Sequence, residues 1–250
     1  MVPTVDIVIP VLNEEKTLPQ SAMILNQFLS ENLPNNPWRV VIADNGSTDN
    51  TRSVGEMLAR KYPGISYVYV PQRGRGRALR TAWLESNADM MSYMDVDLST
   101  NLNSFPKLVQ AVEEGYDIAI GSRLVGGAKV TRSLKREVIS RSYNLIIKAF
   151  FLFPFHDAQC GFKVMNRRTA RALVPLVQNN NWFFDTELLV IAVKRGFRVK
   201  EIPVEWVEDP NSRVRVLSTA WEDIKGLLRL RFGGIPELPA QSKNGYGDPT

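Results

Sequence analysis

The chain predicts an α/β fold: an open, mainly parallel sheet with helices on both faces and an amphipathic helix near the C-terminus. Three observations carry this. Segments 5–11, 39–44, 65–70, 90–95 and 116–122 are β-branched and nearly continuously apolar, as strands covered on both faces are. Helical patterns alternate with them, the order of a parallel sheet with crossover helices. The first four strands run into polar loops, and ligands of open α/β sheets bind beyond the carboxyl ends of the strands.

The first strand is VDIVIPV. A helix follows on the stripe Leu18, Ala22, Leu25, Phe28 and Leu29, with Thr17 as N-cap and Pro19 in the tolerated first turn. RVVIAD, ISYVYV, MMSYMD and YDIAIGS are the next strands, and helices are predicted over 51–62, 77–86 and 105–114. After Gly121 the rhythm changes. The pattern predicts a long helix over 133–153, a loop with Pro154, His156 and Gly161, helices over 169–177 and 184–195, and a strand over 198–204. Trp221, Ile224, Leu227, Leu228 and Phe232 form a helical stripe beside Lys225, Arg229 and Arg231, the composition of a basic interfacial helix or of a core-packed one. Residues 1–232 form a single domain on this reading. Residues 233–250, rich in Pro, Gly and polar side chains from Ile235 onward, are predicted to be a disordered tail.

Composition narrows the chemistry. The 250 residues include one cysteine, Cys160, and one histidine, His156, which excludes an internal disulfide and a Cys/His zinc cluster and suits a reducing compartment. MVPTVDIVIPV lacks the basic start of a secretory signal and reads as a strand. The 11 residues of LIIKAFFLFPF (145–155), broken by Lys148 and Pro154, fall short of the roughly 20 that a spanning helix needs. The net charge of +5 is concentrated: Arg73, Arg75, Arg77 and Arg80; then Arg123, Lys129, Arg132, Lys135, Arg136 and Arg141; then Arg213, Arg215, Lys225, Arg229 and Arg231. Such clusters suit anionic partners. Nucleic acid is disfavoured, because the arginines interleave with acidic ligands rather than exposed aromatics.

Asp95 and Asp97 end the fourth strand. Extended chain would point both to the same side, and two carboxylates there repel unless a cation joins them. Oxygen ligands without His or Cys suit Mg²⁺ or Mn²⁺. The alternative is an Asx-turn with a helix cap. Gly74 and Gly76 permit positive φ or close backbone approach, and Arg73, Arg75 and Arg77 suit a diphosphate. A dinucleotide-binding fingerprint fails, since Ala78 and Leu79 occupy the stretch where its third glycine belongs.

VDIVIPVLNEE, VVIADNGSTDNT, the G-R-G-R-A loop, YMDVDLS, IGSRLVGG, LKREVISRSYN, DAQCGFKVMNR and WFFDTELL, in this order over about 5–232, resemble family 2 glycosyltransferases with the GT-A fold. The later motifs resemble the branch that loads hexoses onto polyprenyl phosphates, the dolichol-phosphate mannose and glucose synthases. Asn45 stands where the family commonly has Asp, and Arg75 where Lys is common. The resemblance implies inverting transfer of mannose or glucose from a nucleotide diphosphate sugar, GDP- or UDP-linked, to a polyprenyl phosphate, giving a β-linked product. It implies that Pro10, Leu12, Glu14 and Asp44 border the base and ribose, that Asp95 and Asp97 hold the metal, and that Arg123, Arg136 and Ser140 hold the acceptor phosphate. Asp157 would line the donor sugar or acceptor. Asp185 and Glu187 lie near a helix start, where Asp185 is either a site residue or an N-cap. Arg213 and Arg215 sit on a loop that either closes over substrate or meets lipid headgroups. A peripheral protein at the cytoplasmic face of a membrane fits a lipid acceptor, and some relatives are fused or paired with integral-membrane domains.

Two rival enzymes remain. A sugar-1-phosphate nucleotidyltransferase would open with a glycine-rich first loop, where this chain has VLNEE. A family 2 transferase acting on a sugar hydroxyl would need a carboxylate base, with Asp157 or Asp185 as candidate.

Overall fold

The computed structural model describes residues 2–151, 153–208 and 216–238. In chain order, β1 (Val5–Val11), α1 (Leu18–Asn32), β2 (Trp38–Asp44), α2 (Thr51–Lys61), β3 (Ile65–Tyr69), α3 (Arg75–Glu85) and β4 (Met90–Met94) form the first half. Then come α4 (Phe105–Glu113), β5 (Ile118–Ser122), β6 (Lys129–Thr131), α5 (Leu134–Phe151), β7 (Phe162–Asn166), α6 (Arg167–Leu173), α7 (Phe184–Lys194), β8 (Val199–Pro203), β9 (Glu205–Val207) and α8 (Val216–Phe232). Seven strands pair in the order β3-β2-β1-β4-β7-β5-β8, and β6 pairs with β9 in a small second sheet. All large-sheet pairings are parallel except those of β7, which runs antiparallel between β4 and β5.

Side-chain alternation divides the core. Ile7 and Ile9 of β1 face α1, α2 and α4, and Val8 faces α3 with α5 to α8 behind it. All seven residues of β1 are buried, and each large side chain covered in this way contributes about 1.5–3 kcal/mol.

β7 is absent from the sequence prediction. Its FKVMN carries Lys163 in mid-strand, which masks the apolar run, yet Lys163 is 1% exposed and paired below the sheet edge. The reversal of β7 matters for the site. It brings the preceding loop, 157–161, to the edge where β1, β2 and β4 end. Residues 235–238, inside the predicted tail, lie against α7: Arg195 donates to Pro236 O at 2.7 Å, and Ile235 and Leu238 pack on the core. Residues 239–250 lie outside the described residues.

Candidate functional site

The loops after β1 and β2 are laced together. Asn13, at φ 57°, accepts from Thr48 N (2.8 Å) and takes Ser47 Oγ at its own N–H (2.9 Å). Glu14 N donates to Thr51 Oγ1 at 2.7 Å, and Glu15 accepts from Asn50 N at 3.0 Å. Pro10 is buried within β1, and Leu12 and Glu14 are half-buried just beyond it. Asp44, expected to face base or ribose, is 0% exposed and accepts from Ser47 N (2.9 Å) and Tyr67 hydroxyl (2.8 Å). Both of its oxygens therefore shape the loop. Asn45 donates its amide to Val11 O (2.7 Å) and accepts from Gly74 N (3.3 Å). A carboxylate cannot make the first of these bonds, which accounts for an amide at this position.

Gly74, at φ 140°, opens α3, and a Cβ there would lie 2.5 Å from Asn180 O. The close approach that this loop permits is to the chain's own segment 178–182. Arg73 is exposed at the turn. Arg75, expected on a diphosphate, is sandwiched between the rings of Tyr93 (4.7 Å) and Trp182 (4.9 Å) and donates to Asp95 Oδ1 (2.8 Å) and Asp185 Oδ2 (2.6 Å). Its helix begins two residues earlier than predicted, which turns the side chain inward to the carboxylates. Asp185 also receives Tyr93 hydroxyl (2.5 Å) and lies 3.1 Å from Lys163 Nζ. Burial alone would raise its pKa, but Lys163, Arg75 and Tyr93 outweigh burial and hold it below the ordinary range. Asp185 is thus the hub of a buried ion cluster; the N-cap of α7 is Phe183.

Strand β4 ends at Met94, so Asp95 and Asp97 stand on a turn rather than in extended chain. Leu98 N donates to Asp95 O at 3.1 Å, and Leu98 takes φ 49°. Asp97 Oδ1 accepts from Ser99 N at 3.0 Å, the Asx-turn of the alternative reading, while its side chain stays at the surface. Asp95 lies against Gly161: a Cβ at 161 would stand 1.8 Å from its Oδ2.

Arg123 and Asp157 form a fully engaged pair. Arg123 donates Nε to Oδ2 (2.7 Å), Nη2 to Oδ1 (2.9 Å) and its backbone N–H to Oδ2 (3.0 Å), with Trp206 across the guanidinium at 5.4 Å. Asp157 is 0% exposed. It anchors Arg123 rather than opening toward a sugar. On α5, Ser140 Oγ and the Arg132 Nη2 just before the helix are buried without a hydrogen-bond partner among the described residues. Arg132 pairs with Glu137, one turn before Ser140 on the same helix face. Arg136 lies on α5, but its side chain is not among those described, and Arg213 and Arg215 lie outside the described residues. Glu187 accepts from Gln178 N (3.0 Å), Asn179 N (2.9 Å) and Arg229 Nη2 (2.7 Å), and so ties segment 178–182 to α8. His156 is exposed against Glu201 (2.8 Å), and burial pushes the Cys160 thiol up to about 12, which removes it as a nucleophile.

Sequence reading missed Tyr93, Lys163, Trp182 and segment 178–182. Lys163 inside an apolar strand was the available signal, since a lysine is rarely fully buried unless paired. Oxygen ligands at 95 and 97 would suit Mg²⁺ or Mn²⁺ completed by water and diphosphate oxygens; Asp95 Oδ2 lies in the space that Gly161 leaves, and its Oδ1 is held by Arg75. Among the described residues no cluster of three or more His, Cys, Asp or Glu side chains could hold a metal, so donor oxygens would have to complete the shell.

Comparison with known proteins bears on the family and the fold. Glycosyltransferase AglD of Haloferax volcanii is 36% identical over 225 residues, 89% of this chain and 35% of that protein. A dolichyl-phosphate beta-glucosyltransferase of Trichomonas vaginalis is 32% identical over 221 residues, 84% of this chain and 65% of that protein. The chain therefore spans about a third of the first relative and just under two thirds of the second. Glucosyl-3-phosphoglycerate synthase from Mycobacterium tuberculosis, crystallised with UDP, shares the fold with a TM-score of 0.70 at 22% identity, covering 94% of this chain and 82% of that one. The same synthase has also been crystallised with Mn²⁺, UDP and phosphoglyceric acid. The profile of glycosyl transferase family 2 matches residues 6–174, more than half the chain and all of the sheet edge from Asp44 to Asp157, and the chain belongs to that family.

Proposed function

We propose that this chain transfers a hexose, with inversion, from a nucleotide diphosphate sugar to a polyprenyl phosphate at a membrane surface, giving a β-linked lipid-phosphate sugar. The names of relatives from Trichomonas vaginalis to Homo sapiens, dolichyl-phosphate beta-glucosyltransferase, favour glucose and dolichyl phosphate. The donor's base and ribose would lie along Pro10, Leu12 and Glu14, on the floor that Asp44 holds in shape. Asp95 and Asp97 would hold Mg²⁺ or Mn²⁺ on the diphosphate. When bound, that cation offsets the charge that grows as the nucleotide leaves.

One observation carries the choice of acceptor. Asp157 and Asp185, the two carboxylates that could serve as base toward a sugar hydroxyl, are both buried in ion pairs with arginine. A phosphate monoester has a second pKa near 6 and is already a nucleophile at neutral pH, so positioning suffices. Arg123, Arg136 and Ser140 are proposed to position it, and the unpartnered Arg132 Nη2 and Ser140 Oγ are buried donors suited to an anion. Trp221, Leu228 and Phe232 are 60%, 40% and 80% exposed on one face of α8 beside Lys225, the composition of a helix lying at an acidic lipid interface. No helix among the described residues is long and apolar enough to cross a membrane.

The test is a panel of nucleotide sugars with polyprenyl phosphate and with an oligosaccharide, in Mg²⁺ or Mn²⁺. Transfer to the lipid is expected, and Asp97→Ala is expected to lower it by about 10²–10³ or more, the scale of losing one transition-state charge partner. Transfer to the oligosaccharide alone overturns the acceptor assignment. Near-normal transfer by Asp97→Ala overturns the metal assignment.

A further inference from the structure

Loop 157–161 supplies Asp157 to Arg123 and the Gly161 gap to Asp95. Two helices hold it from behind. Asn144 of α5 accepts from Ala158 N at 3.1 Å, and Asp223 of α8 accepts from Gln159 Nε2 at 2.9 Å. Gln159 N in turn donates to Asp157 Oδ1 at 3.2 Å. Asp223 is 2% exposed, and its Oδ1 has no hydrogen-bond partner among the described residues. A buried carboxylate is ordinarily paired with a cation. The groups that face this one are Tyr143 of α5, Glu222 beside it on α8 and Asp185 of α7, with Gln159 from the loop. Among the described residues no cation is one of them.

We propose that Asp223 is a positioning residue, holding loop 157–161 from α8 through Gln159 so that Arg123 and Asp95 keep their places. The carboxyl does this in its protonated form. Burial pushes it up to about 7, Glu222 and Asp185 add to the shift, and Tyr143 and Gln159 oppose it. A protonated carboxyl keeps a carbonyl oxygen for Gln159 and turns its hydroxyl toward Tyr143. Ionisation leaves an uncompensated charge against two other carboxylates, and the cost falls on the contact between α8 and the loop. The stability that the group contributes is full below its ordinary value of 3.8 and is lost as pH rises through about 7. The nucleoside side of the site is built by the loops after β1 and β2, and none of the tether's hydrogen bonds runs to them. Disturbing the tether is therefore read in turnover more than in donor affinity.

This rests on the proposed reaction only for its kinetic arm. Hydrogen exchange of amides 158–161 and unfolding midpoints between about pH 4 and 8 need no substrate. Asp223→Leu and Gln159→Leu are each expected to speed exchange of those amides and to lower kcat about tenfold to a hundredfold, with KM for the nucleotide sugar within about twofold. Made together they are expected to do no more than either alone, since both cut one tether. Asp223→Asn, whose amide oxygen still accepts from Gln159, is expected to restore protection and to remove the fall in unfolding midpoint that the parent shows as pH rises from the carboxyl's ordinary value of 3.8 toward about 7. Where Asp223→Leu does not fold, Gln159→Leu and Asp223→Asn decide the matter. Additive effects overturn the proposal. So does unchanged exchange in Gln159→Leu, or an Asp223→Asn protein that keeps the parent's loss of stability between the carboxyl's ordinary value of 3.8 and about pH 7. Failure of the parent to use any lipid phosphate, with the exchange results as expected, overturns the reaction and leaves the tether standing.

Discussion

Gly161 shows how a single missing side chain sets the chemistry of the sheet edge. Asp95 Oδ2 occupies the space where a Cβ at 161 would be, only 1.8 Å away, and the Asp95 carboxyl carbon is at 2.5 Å. Gly161→Ala therefore cannot be absorbed by a few tenths of an ångström. Asp95 must turn away or β7 must shift, and overpacking of this kind costs about 1–3 kcal/mol. The expected outcome is a folded protein with a lowered unfolding midpoint and strongly weakened Mg²⁺ or Mn²⁺ binding, measured by calorimetry in the presence of UDP. Metal affinity equal to the parent's would remove Asp95 from the cation site. At this scale the sequence was partly legible. Asp95, Asp97 and the arginines stood out because two like charges after an apolar strand need an explanation. Whether Arg75 meets a diphosphate or two carboxylates depends on Asp185, 110 residues away, and no local pattern carries that distance.

The alternating first half of the molecule was readable because each strand and helix obeys its own period. In the second half α5, α6, α7, α8 and β8 were readable in the same way, and β7 was not, for one physical reason. β7 draws its stability from partners far along the chain, β4 and β5, and from a lysine neutralised by Asp185 at 3.1 Å. Its loop belongs to the same class of long-range element, fixed by the pair of Arg123 with Asp157. Burial works against the Asp157 charge, yet Arg123 and its three hydrogen bonds outweigh burial and hold the carboxyl below its ordinary 3.8. A depressed pKa contributes stability that is present above the unfolded value and lost as pH falls through the folded one. Asp157→Asn leaves Arg123 buried without its counter-charge, a change that typically costs about 3–5 kcal/mol. The variant is expected to be less stable at pH 7 and to lose less than the parent on acidification below about pH 4, compared by urea unfolding across that range. Parallel acid limbs for variant and parent would show that Asp157 is not held ionised by Arg123.

At the scale of the whole molecule, the polar edge and the apolar surface are joined through α5 and α8. Buried Asp223, Gly226, Leu227 and Leu230 bind α8 to the body, and Gly226 makes the fit possible because a Cβ there would stand 2.2 Å from the Phe183 ring. The stripe read from sequence therefore divides: Leu227 serves the core, while Trp221, Leu228 and Phe232 remain outside. α5, the helix that carries Ser140, contributes to the same exposed character through Val138 and Leu145, 63% and 68% exposed. Isolated apolar side chains at a surface need no explanation. Several of them on two helices that also carry Arg141 and Lys225 would suit the proposed lipid acceptor, with its headgroup in the site and its chain in the bilayer. Replacing Trp221 and Phe232 together by Ala removes two of the most exposed apolar side chains of α8 without touching its buried face. The expected outcome is unchanged thermal stability and about thirtyfold weaker binding to vesicles containing anionic lipid, since each lost aromatic forfeits on the order of 1 kcal/mol of interfacial burial. Turnover with a short, water-soluble prenyl phosphate should be retained and turnover with the long-chain lipid in vesicles should fall. Equal losses with both acceptors would place these side chains in acceptor recognition rather than at a membrane, and unchanged vesicle binding would leave α8 with no part in reaching the lipid.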